Sequence, residues 1–294
     1  MRTTVKTLLL FFVTTMVVSS LSVAQDADTL AWNTWHKNAT ASLSGSQVGF
    51  DNWQGGGINS VSVTAGASGS AQRISQRWKQ THEGRIGLGV VKQDTLDFRK
   101  AEDIIFLSTT TQWLGDGFFA QWNPTFNATV RTQFAEGYNY NSDPIDGTRA
   151  TPVKVSAIFS PGYISESIGL THDRGWISQR FGLAAKQNIV TIERFRPLYG
   201  NVDNETVRFE AGLESFTRLK KELVTNVFLQ SSLGVFASFQ DIGNPDLIFE
   251  NLVTMKVNEW LNVNFEVVTI YDYDVSDNLQ LKEVFSIGAS IILI

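Results

Sequence analysis

The sequence of 294 residues contains no cysteine and only three histidines. Without cysteine there are no disulfides, so hydrogen bonding and burial alone must hold the fold. Charged residues make up only 18% of the chain, and proline occurs six times. After residue 25 no apolar run reaches the roughly 20 residues of a membrane-spanning helix. Twenty-three glycines and twenty phenylalanines instead predict many turns and few long helices.

The start of the chain has the three parts of a secretory signal peptide. Arg2 and Lys6 precede an apolar stretch at 8–18, and small residues follow at 22–24. We predict a signal peptide over 1–24, with an uncleaved anchor as the alternative. Its removal would take the formal net charge from −5 to −7 because both lost charges are basic. An acidic mature chain argues against a nucleic-acid partner.

The mature chain alternates apolar and polar residues with period two, which is typical of strands with two different faces. Phe209 and Leu213, for example, share one face, and Arg208, Glu210 and Glu214 share the other. The pattern predicts strands near 39–49, 58–77, 83–92, 103–113, 118–133, 162–172, 176–190, 205–219, 223–239, 246–257, 261–271 and 280–293. Most are longer than the usual 5 or 6 residues of soluble strands and match the roughly 9 to 11 that cross a bilayer.

The predicted fold class is therefore all-β: a single antiparallel transmembrane β-barrel of about twelve strands, of the outer-membrane type of a diderm bacterium. It should occupy 38–294, after an N-terminal periplasmic lead at 25–37. A soluble β-sandwich is the alternative.

The connections between these strands alternate in length. Short ones are expected at 78–82, 114–117, 173–175, 220–222 and 258–260, and longer ones at 50–57, 93–102, 134–161, 191–204, 240–245 and 272–279. Outer-membrane barrels have short periplasmic turns and longer outer loops. We therefore expect both chain termini to lie in the periplasm.

Aromatic residues cluster at the predicted strand ends, as expected for anchoring at a membrane interface. One group is expected beside the short turns: Trp78, Trp113, Trp176 and Trp260. A second group is expected at the opposite rim: Phe50, Phe134, Tyr163, Phe239 and Tyr271.

Several short motifs resemble one uncharacterised family of outer-membrane-type proteins. They are Glu102-Asp103, Thr132-Gln133-Phe134, Gly137-Tyr138, Pro161-Gly162-Tyr163, Lys220-Lys221-Glu222-Leu223, Met255-Lys256-Val257-Asn258, Tyr271-Asp272-Tyr273-Asp274, Leu281-Lys282-Glu283-Val284 and Ile287-Gly288. In order and spacing they resemble the domain-of-unknown-function family 3078, most densely after residue 209. The resemblance implies an outer-membrane location and a barrel fold, and no activity.

Residues that could carry catalysis or bind a metal are scarce. By the predicted topology His36, His82 and His172 lie on the periplasmic side or before the barrel, so no histidine is expected at the outer rim to activate a nucleophile. Two acidic stretches, at 139–147 and 272–277, do not have the spacing of a Ca²⁺ loop and are interpreted as solvated turn residues. We predict no enzyme activity, no metal site and no cofactor.

The polar face is the most informative feature for function because it should line the lumen. The predicted lining is Arg131, Arg180, Lys186, Arg208, Glu210, Glu214, Arg218 and Glu266, together with Arg85, Lys256 and Glu250. Seven basic and four acidic residues would give the lumen a balance of +3. A basic constriction would favour small anionic solutes. Alternatively, opposed Arg and Glu, such as Arg180 and Glu214, would pair and plug a barrel of modest bore.

Two functional hypotheses follow. The first is a passive channel for small hydrophilic solutes with a preference for anions. The second is a non-conducting structural or scaffold barrel within an envelope complex. The expected partners are outer-membrane lipid and, during biogenesis, the barrel-assembly machinery. The sequence does not define the oligomeric state or the role of the 134–161 loop.

Overall fold

In a computed structural model, residues 32–49, 59–148 and 152–294 are described. The barrel strands are β1 (Trp35–Val48), β2 (Ser60–Ile74), β3 (Trp78–Gln93), β4 (Arg99–Trp113), β5 (Asn123–Thr132), β8 (Gly162–Asp173), β9 (Ile177–Ile189), β10 (Val207–Val224), β11 (Val227–Ser238), β12 (Asp246–Lys256), β13 (Leu261–Asp272) and β14 (Ser276–Ile292). β6 (Gly137–Asn139) and β7 (Val153–Ser156) form a separate small sheet. The predicted signal peptide and Phe50 lie outside the described residues, and β1 already begins at Trp35.

The twelve barrel strands close into one antiparallel ring in the order β1-β14-β13-β12-β11-β10-β9-β8-β5-β4-β3-β2. The chain closes the ring by pairing its first and last strands, with Leu43 opposite Ala289. This confirms the predicted all-β barrel and its strand number. Within the described ranges, no helix is long and apolar enough to cross a bilayer.

The two ends of the barrel differ. We call "turn end" the end that holds the connections 75–77, 114–122, 174–176, 225–226 and 257–260 together with Ile294. We call "loop end" the opposite end, which holds the connections 94–98, 133–161, 190–206, 239–245 and 273–275.

The register assigns every strand residue to one of two faces because paired residues in a sheet point to the same side. Arg208 pairs with Asn188 and Glu214 with Gly182, and Glu210 is buried. This is the inward face. The opposite face carries large exposed apolar side chains from almost every strand, among them Leu43, Val63, Ile86, Leu107, Phe126, Ile168, Leu183, Phe209, Phe249, Phe265, Phe285 and Ile287. The alternation therefore separates an apolar exterior from a polar interior.

Three connections differ from the sequence prediction. The predicted tight turn 114–117 and strand start at 118 are wrong: Gly117 has a φ of 61°, and a four-residue helix, α1 (Phe118–Gln121), precedes β5. The loop 134–161 contains the unpredicted sheet β6–β7. The predicted long connection 272–279 is only 273–275, because β14 begins at Ser276.

Aromatic side chains lie at both rims. At the turn end Trp78 pairs directly with Trp113, and Trp176 and Trp260 are about half exposed. At the loop end Phe134 and Phe239 are exposed. Tyr163, however, pairs with Arg131 and Asn188 on the inward face, so its expected place in the outer aromatic belt is wrong.

Candidate functional site: the barrel lumen

The inward face contains nearly as many acidic as basic residues along the described strands. The eleven basic ones are Lys79, Arg85, Arg99, Arg131, Arg180, Lys186, Arg208, Arg218, Lys220, Lys256 and Lys282; the ten acidic ones are Glu83, Glu102, Asp173, Glu210, Glu214, Glu222, Asp246, Glu250, Glu266 and Asp272. All eight residues of the predicted lining have this face. The balance of +3 expected from the sequence is not found, because the expected set lacked six of these acids and four of these bases.

Ion pairs cross the lumen near the turn end. The Arg218 guanidinium on β10 donates to both carboxylate oxygens of Glu83 on β3, at 3.1 and 2.9 Å. These strands lie nearly opposite each other in the ring. Lys79 Nζ, also on β3, donates to Asp173 Oδ2 on β8 at 2.7 Å. Side chains from opposite walls thus meet across the lumen.

A second group of contacts runs along the β5–β8–β9–β10 wall. Arg180 Nε donates to Glu214 Oε1 at 2.7 Å, and its other arm donates to Asn127 Oδ1 at 3.1 Å. Ser167 donates to the same Glu214 oxygen at 3.3 Å. Both charged side chains are almost fully buried. Gly182 pairs with Glu214 and packs closely against the neighbouring strand, since a Cβ at this position would lie 2.5 Å from the Ile168 carbonyl oxygen.

Near the loop end, Lys186 is the centre of an acidic cluster. Its ammonium contacts Asp246, and it lies 3.1 Å from Glu210 Oε2 and 3.8 Å from Asp272 Oδ2. Arg208 supplies the second cation, at 3.0 Å from Glu210 Oε2 and 3.0 Å from Asp274 Oδ2. We call these six residues the Lys186 cluster. It contains four carboxylates and two cations.

The Lys186 cluster also answers the question of a metal at the last loop. Ligand oxygens of Asp246, Asp272 and Asp274 lie within 4.8 Å of one another. Lys186 and Arg208 already contact these carboxylates, so protein cations take the place that a metal ion would occupy. The expectation that Asp272 is a solvated turn residue is wrong, since it is the last residue of β13 and largely buried.

Two loops cover part of the loop end. Asp143 of the 133–161 loop is almost fully buried against Arg194, so it also is not a solvated turn residue. Arg194 belongs to a 3₁₀ helix (Glu193–Tyr199) in the connection 190–206. The Tyr199 hydroxyl donates to the Val155 carbonyl of β7 at 3.0 Å. Burial raises the pKa of Tyr199 to about 12. The two loops therefore form one bonded cap.

The cap is tied to the lumen through the residue that ends the 3₁₀ helix. Gly200 adopts a left-handed conformation with φ of 77°. Its carbonyl accepts a hydrogen bond from Arg208 Nη1 at 3.1 Å. Arg208 is part of the Lys186 cluster, so the cap and the cluster share a residue.

Between the turn-end ion pairs and the Lys186 cluster lies a cavity of about 200 Å³, which we call the mid-lumen compartment. Its lining consists of Arg85, Glu102, Arg131, Glu250, Glu266 and Lys282 with Val268, Ile270, Gln280 and Leu281. Arg131 Nη1 lies 3.6 Å from Glu250 Oε1, and Lys282 Nζ lies 3.8 Å from Glu266 Oε2. Lys282 also contacts Glu102 from across the ring. Predicted lining residues from β5, β12 and β13 are thus brought together here.

The wall formed by β14, β1 and β2 is different because many of its inward residues are small. They include Thr40, Ser42, Ser44, Ser46, Ser60, Ser62, Thr64, Gly66, Ser68, Ser70, Ser286, Gly288 and Ser290. Ser42, Ser68 and Ser70 are exposed although they point inward. Solvent therefore reaches the lumen along this wall.

The three histidines lie on separate strands at the turn end. His82 Nδ1 is 2.8 Å from Thr109 Oγ1, and His172 Nδ1 is 2.8 Å from the Gln121 carbonyl. His82 stacks on Trp35 and His172 on Trp122. These contacts place both rings among the rim aromatics.

Comparison with known sequences gives one family. The model of the family "Protein of unknown function (DUF3078)" matches residues 46–138. The resemblance to that family is confirmed. The matched range includes Glu102-Asp103, Thr132-Gln133-Phe134 and Gly137-Tyr138. The motifs from Pro161 onward lie outside it, so the match does not reach the region after 209 where the resemblance was expected to be densest. No curated protein matches the sequence.

Similar solved structures are bacterial outer-membrane proteins. One is the translocator domain of the autotransporter NalP from Neisseria meningitidis, with 9% identity, 90% of this chain and 89% of that chain covered, and a TM-score of 0.36. Another is an outer membrane channel from Pseudomonas putida F1, with 10% identity, 94% and 99% coverage and a TM-score of 0.37. A third is OmpT, an outer membrane protein of Vibrio cholerae, with 9% identity, 88% and 97% coverage and a TM-score of 0.31. At these scores the likeness carries no argument about function.

Proposed function

We propose that this protein is an outer-membrane β-barrel whose lumen is closed to free diffusion by ion pairs, so that it acts as a non-conducting scaffold in the cell envelope. The observation that carries the proposal is the set of cross-lumen contacts. Arg218–Glu83, Lys79–Asp173, Arg131–Glu250 and Lys282–Glu102 each join strands that are not neighbours in the ring. A barrel of twelve strands has limited bore, so charged side chains that meet in its interior obstruct it.

The exterior supports the membrane location. Closed barrels satisfy all their strand hydrogen bonds internally, which is a requirement in lipid. The outward face carries exposed Leu, Ile, Val and Phe from almost every strand, with Trp78, Trp176 and Trp260 at the turn-end rim. Such a surface would be an aggregation hazard in water, whereas it matches a hydrocarbon layer between two aromatic belts.

Planar bilayers test the closure. We expect the purified barrel to be silent and a variant without the four cross-lumen ion pairs to conduct. That variant carries Lys79→Gln, Asp173→Asn, Glu83→Gln, Arg218→Gln, Arg131→Gln, Glu250→Gln, Lys282→Gln and Glu102→Gln, which leaves the net charge unchanged. The matched control removes the ion pair of Lys154 and Glu136, which lies 2.5 Å apart outside the lumen.

The control variant should remain silent. Steady conductance of the unmodified barrel would overturn the proposal, as would silence of the eight-residue variant in a barrel shown by circular dichroism to be folded.

A passive channel is the second candidate, favoured by the solvent-exposed wall of small residues at Ser42, Ser68 and Ser70. If the barrel conducts, the nearly equal numbers of inward acids and bases predict a reversal potential near zero in a salt gradient. A strong anion preference would instead restore the hypothesis of a basic constriction.

The proposal also places the turn end in the periplasm. Because the chain has no cysteine, single cysteines report topology directly. Asn244→Cys in the exposed 239–245 loop should react with a membrane-impermeant maleimide on intact cells, and Glu259→Cys in the 257–260 turn should react only after lysis. The reverse labelling pattern would show that the turn end faces the outside of the cell.

A further inference from the structure

Two ion pairs of the mid-lumen compartment are loose, whereas a third, between Lys282 and Glu102, is a close contact. The Arg131–Glu250 and Lys282–Glu266 separations of 3.6 and 3.8 Å exceed hydrogen-bonding distance. The ion pairs on either side of the compartment are closer. Arg218 and Glu83, for example, lie 2.9 Å apart. Loosely paired charges in a cavity are free to exchange their partner for a ligand at little cost.

Arg85 adds a cation that has no ion-pair partner among the residues the structure describes. It points inward from the middle of β3, pairs in register with Ser68 and Phe106, and is exposed within the lumen. In the described part of the chain it forms no ion pair with a carboxylate. An arginine without a partner inside a barrel offers a planar donor set suited to a carboxylate.

Four charges of the compartment come from two sides of the ring. Arg85 and Arg131 project from β3 and β5, whereas Glu250 and Glu266 project from β12 and β13. Arg131 and Glu250 approach to 3.6 Å, and Lys282 on β14 contacts Glu102 on β4. Val268 and Ile270 supply an apolar strip beside Glu250 and Glu266. A ligand that enters between Arg131 and Glu250 therefore meets guanidinium groups from one side, and carboxylates with hydrocarbon beside them from the other.

We propose that the mid-lumen compartment binds a small zwitterion whose carboxylate contacts Arg85 and Arg131 and whose ammonium contacts Glu250 and Glu266. The volume of about 200 Å³ admits several water molecules or one small molecule and is below the usual size of drug-like pockets. A short ω-amino acid fits this description. The compartment is neutral overall, since three bases face three acids, so a ligand with only one charge would leave an unbalanced group.

Titration calorimetry of the full-length barrel, purified from membranes in detergent, tests this assignment. The probes are 4-aminobutyrate, which carries both charges, and butyrate and butylamine, which each carry one. We expect saturable binding of 4-aminobutyrate and at least tenfold weaker binding of the other two. Arg85→Gln should weaken 4-aminobutyrate about tenfold or more, since a hydrogen bond between charged groups is lost.

Two variants serve as controls. Lys79→Gln removes a lumenal cation of the turn-end tie and should leave binding unchanged. Arg85→Lys keeps the charge and should restore part of the affinity. Since Arg85 leaves no described carboxylate unpaired, its replacement should fold like the parent, which circular dichroism checks.

Two results would overturn the proposal. One is absence of binding for 4-aminobutyrate in the folded barrel. The other is butyrate binding as tightly as 4-aminobutyrate with no effect of Glu250→Gln, which would define an anion site instead. Conductance is measured separately in bilayers, so failure of this proposal and failure of the closed-barrel function are distinguishable.

Discussion

Replacing Lys186 with methionine tests how strongly the acidic cluster depends on its central cation. The ammonium contacts Asp246 and lies 3.1 Å from Glu210 and 3.8 Å from Asp272, and all four side chains are less than a fifth exposed. Removing one partner of a buried ion pair costs about 3 to 5 kcal/mol because the remaining charge is left uncompensated.

Arg208 still contacts Glu210 in the Lys186→Met variant, at 3.0 Å, whereas Asp246 has no second cation among the described residues. We therefore expect the lower part of that range, a loss of about 3 kcal/mol in the free energy of unfolding. Reversible guanidinium unfolding in lipid vesicles measures it. Lys92→Met is the control, because Lys92 is an outward residue whose ammonium lies over the Phe98 ring and contacts no described carboxylate.

A double variant tests whether the loss comes from the uncompensated charge of Asp246. Adding Asp246→Asn to Lys186→Met removes the uncompensated charge, so the double variant should regain about 1 kcal/mol or more relative to the single variant. Two results would show that the cluster does not depend on the lysine. One is that Lys186→Met loses no more stability than Lys92→Met. The other is that Asp246→Asn lowers the free energy of unfolding by the same amount with and without Lys186→Met.

Two further predictions concern packing and a loop titration. Gly182→Ala should destabilise the barrel by about 2 kcal/mol, since the new Cβ would lie 2.5 Å from the Ile168 carbonyl oxygen, whereas Gly49→Ala, which meets nothing within 4 Å, should be close to neutral in the same unfolding assay. Glu136 accepts a hydrogen bond from the Tyr138 hydroxyl at 2.5 Å, and this contact raises the pKa of the phenol. The hydrogen bond is therefore fully formed at neutral pH and is lost as the pH rises through the raised pKa. Glu136→Gln should lower the pKa of Tyr138 toward its ordinary value, and a pH titration of the ultraviolet absorbance difference against Tyr138→Phe measures it.

The alternation of side chains predicted the barrel closely because a period of two is a local property of each strand. The predicted strands overlap all twelve barrel strands, and the inward assignment of Arg180, Glu210 and Glu214 follows directly from it. The pattern fails where alternation stops. Phe118 and Phe119 are consecutive apolar residues after a glycine with positive φ, and they form a helical turn where a strand was expected.

The partners across the lumen could not be predicted in the same way. Glu83 and Arg218 lie on strands that never pair, and only the closure and stagger of the whole ring bring them together. Asp173, Asp246 and Asp272 stand at strand ends, where aspartate usually indicates a solvated turn. Carrying the face assignment to the last residue of each strand would have found these acids and removed the apparent basic excess.

The charged interior specifies which face of each strand points inward. A one-residue slip in register would turn every inward side chain toward lipid, and the cost of exposing Arg, Lys, Glu and Asp there makes such a slip prohibitive. Ion pairs near both barrel ends, such as Arg218–Glu83 and Lys186–Asp246, suffice for this purpose. Buried pairs are weak evidence for stability in themselves, because packed apolar residues can be equally stable. Specification of the inward face accounts for tight pairs but not for Arg85, which forms no ion pair among the described residues, or for Arg131 and Glu250, which stay 3.6 Å apart. These loosely held charges in the compartment therefore call for a reason beyond the fold, and binding of a ligand with both charges is the one their placement supports.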